Sequence, residues 1–192
     1  MLHHGVLHDV FEDVIVERCT IWNDWGRALE IGAETRAKAI RNVTFRDCDI
    51  LAVHDVALDV QNCDQAEVHD IRFENIRVEC DAAPPETVYS GHAKDFDPKR
   101  RGGAPRIAEA IIHYIPEYSK AGAENRGRIH DLVFSDIDVY SSALPRTGFF
   151  GFDADHRIER VTLKNFRLNG KDVTDAVRAA TETNAFYGRR TK

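Results

Sequence analysis

The chain has 192 residues, of which 43% are hydrophobic, and a formal net charge of −6 from 26 basic and 32 acidic residues. This length and composition suffice for one continuous core, and nothing in them indicates two domains. Charges of both signs are mixed along the chain, which argues against nucleic acid or an anionic membrane as the main partner. The apolar runs are too short to span a bilayer and Met1–Gly5 is not a signal peptide, so the cellular location stays open.

The first predicted element, residues 11–21, spaces its apolar residues by three, two, three and two positions. A helix spaces them by three and four and a plain strand by two, so the spacing predicts short alternating strands joined by a bend. The same pattern starts again at residues 40, 68, 129 and 158, at intervals of 29, 28, 61 and 29 residues. The five apolar rows are Phe11/Val14/Val16/Cys19/Ile21, Ile40/Val43/Phe45/Cys48/Ile50, Val68/Ile71/Phe73/Ile76/Val78, Ile129/Leu132/Phe134/Ile137/Val139 and Ile158/Val161/Leu163/Phe166/Leu168. A fixed period of this size indicates a repeat architecture.

A second short element follows each row start by about 17 residues. Its copies are ALEI (28–31), ALDV (57–60), AIIHYI (110–115) and GFFGF (148–152). These apolar runs are bounded by Gly, Asn and Asp, which predicts strands. Three short strands per repeat of about 29 residues, without a pair of amphipathic helices, predict an all-β parallel β-helix of about five turns in one domain, 1–192.

Polar residues recur at two fixed positions of the repeat. The residue before the second apolar position is Asp13, Asn42, Asp70, Asp131 or Arg160, and the residue before the fourth is Arg18, Asp47, Asn75, Asp136 or Asn165. Asn and Asp tolerate left-handed backbone, so we expect the strands to bend there and the side chains to form polar ladders.

The four cysteines give no sign of a metal site. Cys19 and Cys48 occupy the same inward position of adjacent repeats, which favours a buried thiol stack over a disulfide. Cys63 and Cys80 are expected at turns, and no Cys/His cluster has zinc spacing. We therefore expect neither a metal nor a cofactor.

Two insertions and a tail interrupt the repeats. Residues 81–106 are rich in Pro, Gly and charge and are expected either to wall a groove or to form a flexible loop, and residues 116–127 form a shorter insertion. The tail 172–183 predicts a helix with Val173, Ala176, Val177 and Ala180 on one face, within a cap at 171–192 that covers the last row.

The first row is preceded by only ten residues, and an uncovered row exposes unpaired backbone groups. We therefore expect either that the chain is the C-terminal part of a longer β-helix, or that another chain covers this end. A second copy of the chain would do so by self-association.

The segments NDWGRALEIGAE, IRNVTFRDCDI, HDVALDVQN and VHDIRFENIRVE resemble the later turns of pectin-lyase-like right-handed parallel β-helix proteins, in particular the polygalacturonase-type glycoside hydrolases of family 28. The resemblance covers about residues 11–170 and implies a carbohydrate-active protein, whole or C-terminal part, that acts on a polysaccharide or oligosaccharide. Trp25 stands where the family has a histidine, and Leu58-Asp59-Val60-Gln61 stands where it has Ile-Arg-Ile-Lys. The family's catalytic aspartates come from earlier turns and have no match here. The alternative function is a non-catalytic β-helix that binds glycan or assembles through its open end.

The alignment of ALEI with ALDV places Glu30 and Asp59 at the same step of adjacent strands, directed away from the core and about 4.8 Å apart. Their repulsion should raise one pKa and provide the acid and base that glycoside hydrolysis needs. We therefore predict Glu30 and Asp59 as catalytic residues on an exposed ladder, which His113 joins one repeat later. The predicted substrate-binding residues are Trp25, Arg27, Glu34, His54, Asp55 and His113, with Trp22 as a further stacking candidate. The alternative is an ordinary ion pair between Glu30 and Arg27 and a packing role for Trp25.

Overall fold

The computed structural model describes residues 2–4, 9–23, 26–53, 55–80, 105–120, 122 and 124–188, with the backbone alone for 2–4. The protein is all-β with one short helix, and nearly all its strands pair in parallel, so the predicted all-β class is confirmed. No helix in the described part of the chain is long and apolar enough to cross a membrane.

The strands form two sheets. Sheet A contains Leu2–His4 (β1), Leu29–Thr35 (β4), Val56–Asn62 (β6), Arg106–Ile112 (β8), Arg146–Phe150 (β10) and Glu182–Thr183 (β13), hydrogen-bonded in that order. Sheet B contains Val10–Glu17 (β2), Ala39–Leu51 (β5), Glu67–Glu79 (β7), Arg128–Tyr140 (β9), Ile158–Leu168 (β11) and Lys171–Asp172 (β12) in that order, with Thr20–Trp22 (β3) also beside β5. From β4 to β11 the chain alternates between the sheets and adds one strand beside the previous strand each time.

The pairing register matches the predicted rows. Phe11 lies beside Ile40, Ile40 beside Val68, Val68 beside Ile129, and Ile129 beside Ile158. Each pair is one predicted repeat apart, including the interval of 61 residues. The described chain resumes at residue 105 and β8 begins at Arg106, so the rest of the predicted insertion 81–106 lies outside the described residues.

All ten predicted bend residues have left-handed backbone, with φ between 50° and 59°. Each long strand of sheet B therefore bends twice, rather than once as the spacing around residue 45 first suggests. Each bend restores the inward direction of the next apolar side chain, because it shifts the alternation by one residue. Side chains join neighbouring bends: Asn42 donates to Asp13 at 2.5 Å, Asn75 to Asp47 at 2.6 Å and Asn165 to Asp136 at 2.9 Å. The predicted polar ladders are confirmed.

The core lies between the two sheets and is continuous along the described rows. Phe45, Phe73 and Phe134 stack at its centre, with ring centroids 4.9 Å and 5.0 Å apart and nearly parallel planes. Phe149 of sheet A meets Phe134 at 6.0 Å and so joins the two sheets. Cys19 and Cys48 are free thiols, and the pairs that flank them in the register place them side by side, as predicted.

The two ends of the stack differ. In the first row Phe11, Val14 and Val16 are only half-buried, although their neighbours in the second row are buried. At the other end the helix Thr174–Ala180 (α1) follows β12, within the predicted 172–183. Val177 is buried against the core and Arg178 donates to the carbonyl of Leu163. Ala176 and Ala180, predicted on the packed face, are exposed, because the helix packs through Val173, Thr174 and Val177 instead.

One predicted alignment is wrong. The neighbour of ALDV in sheet A is Ile107–Ala110, since Leu58 pairs with Ala108 and Asp59 with Glu109. The sequence pattern predicts 110–115 as this neighbour, because the insertion before it hides the start of the strand. The next copy likewise begins two residues before GFFGF, because Thr147 pairs with Ala108 and so takes the second position of the segment.

Candidate functional site

Three acidic residues occupy equivalent positions of adjacent strands in sheet A. Glu30 pairs with Asp59, as predicted, and Asp59 pairs with Glu109, which sequence reasoning missed. We call these three residues the acidic row. Their neighbours Leu29, Ile31, Leu58 and Val60 belong to the core, so strand alternation directs the acidic row away from it. The Ala-Glu-Ala pattern of 108–110 was the available signal for Glu109.

The prediction that Glu30 and Asp59 form an exposed ladder is wrong. Glu30 is 3% exposed, Asp59 0% and Glu109 5%. Charged groups are buried only with partners, and here the partners are cationic and amide side chains from the same surface. Arg27 contacts Asp59, and Arg106 lies 3.1 Å from Glu109.

Arg27 serves Asp59 rather than Glu30, contrary to the alternative considered from sequence. Its Nε lies 2.6 Å from Asp59 Oδ2, and its Nη2 lies 3.8 Å from Asp55 Oδ2. The Nε–H is not aligned with that oxygen, so the contact is an ion pair without a hydrogen bond, and Asp59 Oδ1 also has no hydrogen-bond partner among the described residues. The guanidinium group of Arg27 thus lies between the carboxyl groups of Asp59 and Asp55.

Gln61 links the acidic row to His113. Its Nε2 donates to Glu30 Oε1 and to Asp59 Oδ2, both at 2.9 Å, so these two oxygens lie at most twice that distance apart. Gln61 Oε1 must then accept, and its partner is His113 Nε2 at 3.0 Å. This assigns the proton of a neutral His113 to Nε2. His113 therefore reaches the row through Gln61, and the prediction that it joins the ladder is wrong, since Glu109 occupies that position.

Burial dominates the protonation of the site. It raises the pKa of Glu30 and of Glu109, and it raises the pKa of Asp59 well above its usual range, with Glu30 and Glu109 adding repulsion against the pull of Arg27. The expected rise in a carboxyl pKa is present, but desolvation outweighs repulsion as its cause. Burial, together with Arg27 and Arg126, lowers the pKa of His113 to about 4. His113 is therefore neutral at pH 7.

A pocket of about 210 Å³ opens over this network. Its lining is Arg27, Glu30, Ala33, Glu34, Gln61, His113, Ile115 and Tyr118. The structure thus brings together four of the predicted site residues, namely Arg27, Glu30, Glu34 and His113. Asp59 lies outside the lining and Asp55 joins only through its contact with Arg27.

Other predicted site residues lie elsewhere. Trp25 and His54 are outside the described residues. Trp22 is 54% exposed at the end of β3, in the other sheet. Two lining residues with polar side chains were not predicted: Gln61, which follows ALDV by one position, and Tyr118, which the second insertion supplies. Tyr118 is 41% exposed.

Comparison with protein-family models, with curated proteins and with solved structures found no match to this chain. Among the residues that the structure describes, no group of three or more His, Cys, Asp or Glu side chains is placed to hold a metal ion.

Proposed function

We propose that the protein is a carbohydrate-active right-handed parallel β-helix, and a glycoside hydrolase of the polygalacturonase type or the C-terminal part of one. The fold proposal is supported by the chain's alternation between two parallel sheets and by the steps of 28 or 29 residues between neighbouring strands. A structure in which the connections between the sheets wind left-handed would contradict it.

The observation that carries the functional proposal is the pocket over the acidic row. It joins a carboxyl group whose pKa is raised, a second carboxylate, a neutral imidazole and an accessible tyrosine ring. A sugar can use such a combination, because its hydroxyl groups form hydrogen bonds with polar side chains and the apolar face of its ring packs on aromatic side chains. The substrate class is therefore a polysaccharide or oligosaccharide.

Within this proposal Glu30 is the proton donor. Burial raises the pKa of Glu30, which is the direction that a general acid requires. Asp59 is fully buried, so it acts as a positioning residue that holds Arg27 and Gln61 rather than as a nucleophile.

Glu34 is the second carboxylate of the pocket. It lies four residues beyond Glu30 in β4, about 13 Å along an extended strand. That separation exceeds both the roughly 5 Å between the carboxyl groups of retaining enzymes and the roughly 6.5–9.5 Å of inverting enzymes. Glu34 is therefore proposed as a substrate-binding residue and not as the catalytic partner of Glu30.

The test is a screen of oligosaccharides for binding by calorimetry and for release of reducing ends. Glu30→Gln should abolish hydrolysis and retain binding, because the amide keeps the shape but cannot deliver a proton. The matched control is Glu74→Gln, a change to a half-buried glutamate of sheet B whose nearest cation, Arg72, is 3.6 Å away. Absence of binding by every glycan refutes the proposal.

Binding without turnover by the parent chain supports the second candidate, a non-catalytic glycan-binding module. The full burial of Asp59 favours it, since only Glu30 and Glu34 of the carboxylates described here line the pocket.

A further inference from the structure

Two of the four cysteines lie side by side at the edge of sheet B. Cys19 stands between β2 and β3, and its neighbour on β5 is Cys48. Backbone hydrogen bonds hold this pairing on both sides. On one side the N–H of Arg18 donates to the carbonyl of Arg46 at 3.2 Å, and on the other the N–H of Asp49 donates to the carbonyl of Cys19 at 2.9 Å. The two cysteines are therefore held one strand spacing apart, about 4.8 Å.

The two thiol side chains leave the backbone in the same direction. Each cysteine directly follows a bend residue with left-handed backbone, and each thiol donates to the carbonyl two residues earlier in its own strand. The distances are 3.5 Å from Cys19 to Glu17 and 3.1 Å from Cys48 to Arg46. Burial is the main cause that raises the pKa of Cys48, and the next three contributions all come from Cys19: its backbone N–H lowers that pKa, and its charge and its thiol raise it. The two thiols thus interact directly.

This placement is close to the geometry of a disulfide. A disulfide needs Cα atoms about 4.4–6.8 Å apart and Cβ atoms about 3.5–4.5 Å apart. One strand spacing meets the first requirement, and the second needs the side chains to approach each other by a few tenths of an ångström. The edge can supply this movement, because β2 and β3 have β5 as their only neighbour in the described part of sheet B. Cys63 follows β6 in sheet A and Cys80 follows β7 in sheet B, so these two are not neighbours.

We propose that Cys19 and Cys48 form a disulfide when the protein meets a small disulfide oxidant such as oxidised glutathione, and that this bond fastens the first row to the second. Of the four cysteines, all of which the structure describes, Cys19 alone is not fully buried, so its thiolate attacks first. The attack forms a mixed disulfide and releases one glutathione thiolate. The Cys48 thiolate then attacks the Cys19 sulfur and releases the second. The protein loses two protons and two electrons, and the oxidant becomes two molecules of reduced glutathione.

The experiment incubates the full chain with oxidised glutathione at about pH 8, near the ordinary pKa of a thiol. The remaining thiols are then blocked with iodoacetamide in denaturant, and the cysteines are mapped by peptide mass spectrometry. We expect one linkage, between the peptides that contain Cys19 and Cys48, with Cys63 and Cys80 alkylated. The bond closes a loop over the 29 positions from 19 to 48, so the midpoint of urea unfolding should rise by roughly 1–2 M and fall again on reduction.

Cys48→Ser removes the second thiol of the pair. It should leave Cys19 as a mixed disulfide with glutathione and abolish the rise in the urea midpoint, whereas the matched control Cys80→Ser should still form the linkage. If Cys48→Ser does not fold, the peptide map of the parent chain decides alone. Free thiols at both positions after complete exposure to the oxidant, a mixed disulfide at Cys19 that persists in the parent chain, or a bond from Cys19 to Cys63, to Cys80 or to another copy overturns the inference.

Discussion

The left-handed bends of sheet B can be tested by comparing alanine with glycine at one bend and at one ordinary strand position. Asn75 in β7 has φ 52° and is exposed. Arg72 is exposed in the same strand and is not among the residues with positive φ. Four variants are needed: Asn75→Ala, Asn75→Gly, Arg72→Ala and Arg72→Gly.

The expected magnitudes follow from backbone conformation alone. A Cβ in the left-handed region costs about 1–2 kcal/mol, and glycine avoids that cost. Glycine in a strand is less stable than alanine by about 0.5–1 kcal/mol, because the unfolded chain is more flexible. The hydrogen bond from Asn75 to Asp47 is lost in both variants at 75, so it cancels from the comparison.

Glycine should therefore be more stable than alanine at position 75 and less stable at position 72. The effect of glycine on the flexibility of the unfolded chain is the same at both positions. Subtracting the alanine–glycine difference in free energy of unfolding at position 72 from that at position 75 therefore leaves the left-handed penalty of about 1–2 kcal/mol. Urea unfolding at one protein concentration, with linear extrapolation of the free energy, measures it. If the alanine variant is more stable than the glycine variant by the same amount at both positions, residue 75 is not left-handed and the explanation of the apolar spacing fails.

Three further predictions concern the core, the site and the first row. Phe73→Ala, in the middle of the ring stack and fully buried, should lower the free energy of unfolding by about 3–5 kcal/mol, and a loss below 1 kcal/mol in urea unfolding would contradict the stack. Because the pKa of His113 is lowered to about 4, the folded state binds a proton at this residue less readily than the unfolded state does. The contribution of neutral His113 to the free energy of unfolding is full above about pH 6.5, the ordinary pKa of histidine, and is lost as the pH falls towards 4. His113→Asn should remove this decline from unfolding curves measured across that pH range. Self-association through the edge strand β2 stays a prediction, for which the sedimentation coefficient should depend on protein concentration. Ile15→Lys, which changes a residue 57% exposed on this strand, should weaken the self-association. A monomer at every concentration would exclude this contact.

The fold was more predictable than the site, for a physical reason. Apolar spacing reports side-chain direction, so residues such as Val43 and Cys48 could be assigned to one core, and the Asn and Asp positions between them located the bends. Both signals are local and repeat five times. The strand after the long insertion was misplaced because no local signal marks where a repeat resumes at Ile107.

The site depends on contacts between distant residues, and sequence spacing does not report these. Alternation correctly turned Glu30 and Asp59 away from the core, but it could not show that Arg27 and Gln61 would bury them. The same limit applies to His113, whose contact with Gln61 spans 52 positions. The direction of a side chain is encoded in the local sequence, whereas the burial of a side chain on the outer face of a sheet depends on residues far away in the sequence.

The even spacing of the register also determines how the chain can assemble. Strands that pair in parallel in sheet B come from positions 28 or 29 apart, except for β7 and β9, which are 61 apart. Doubling the length of a loop adds only about 0.6 kcal/mol to the free-energy cost of closing it. The long connection between β7 and β9 should therefore slow the pairing of these two strands only slightly and leave their register unchanged. Residues 1–80 and 105–192 each contain complete runs of neighbouring strands, and the contact between them is itself strand pairing in both sheets. The chain therefore has a natural division for complementation, at which two separately made peptides should recognise each other through β6 with β8 and β7 with β9.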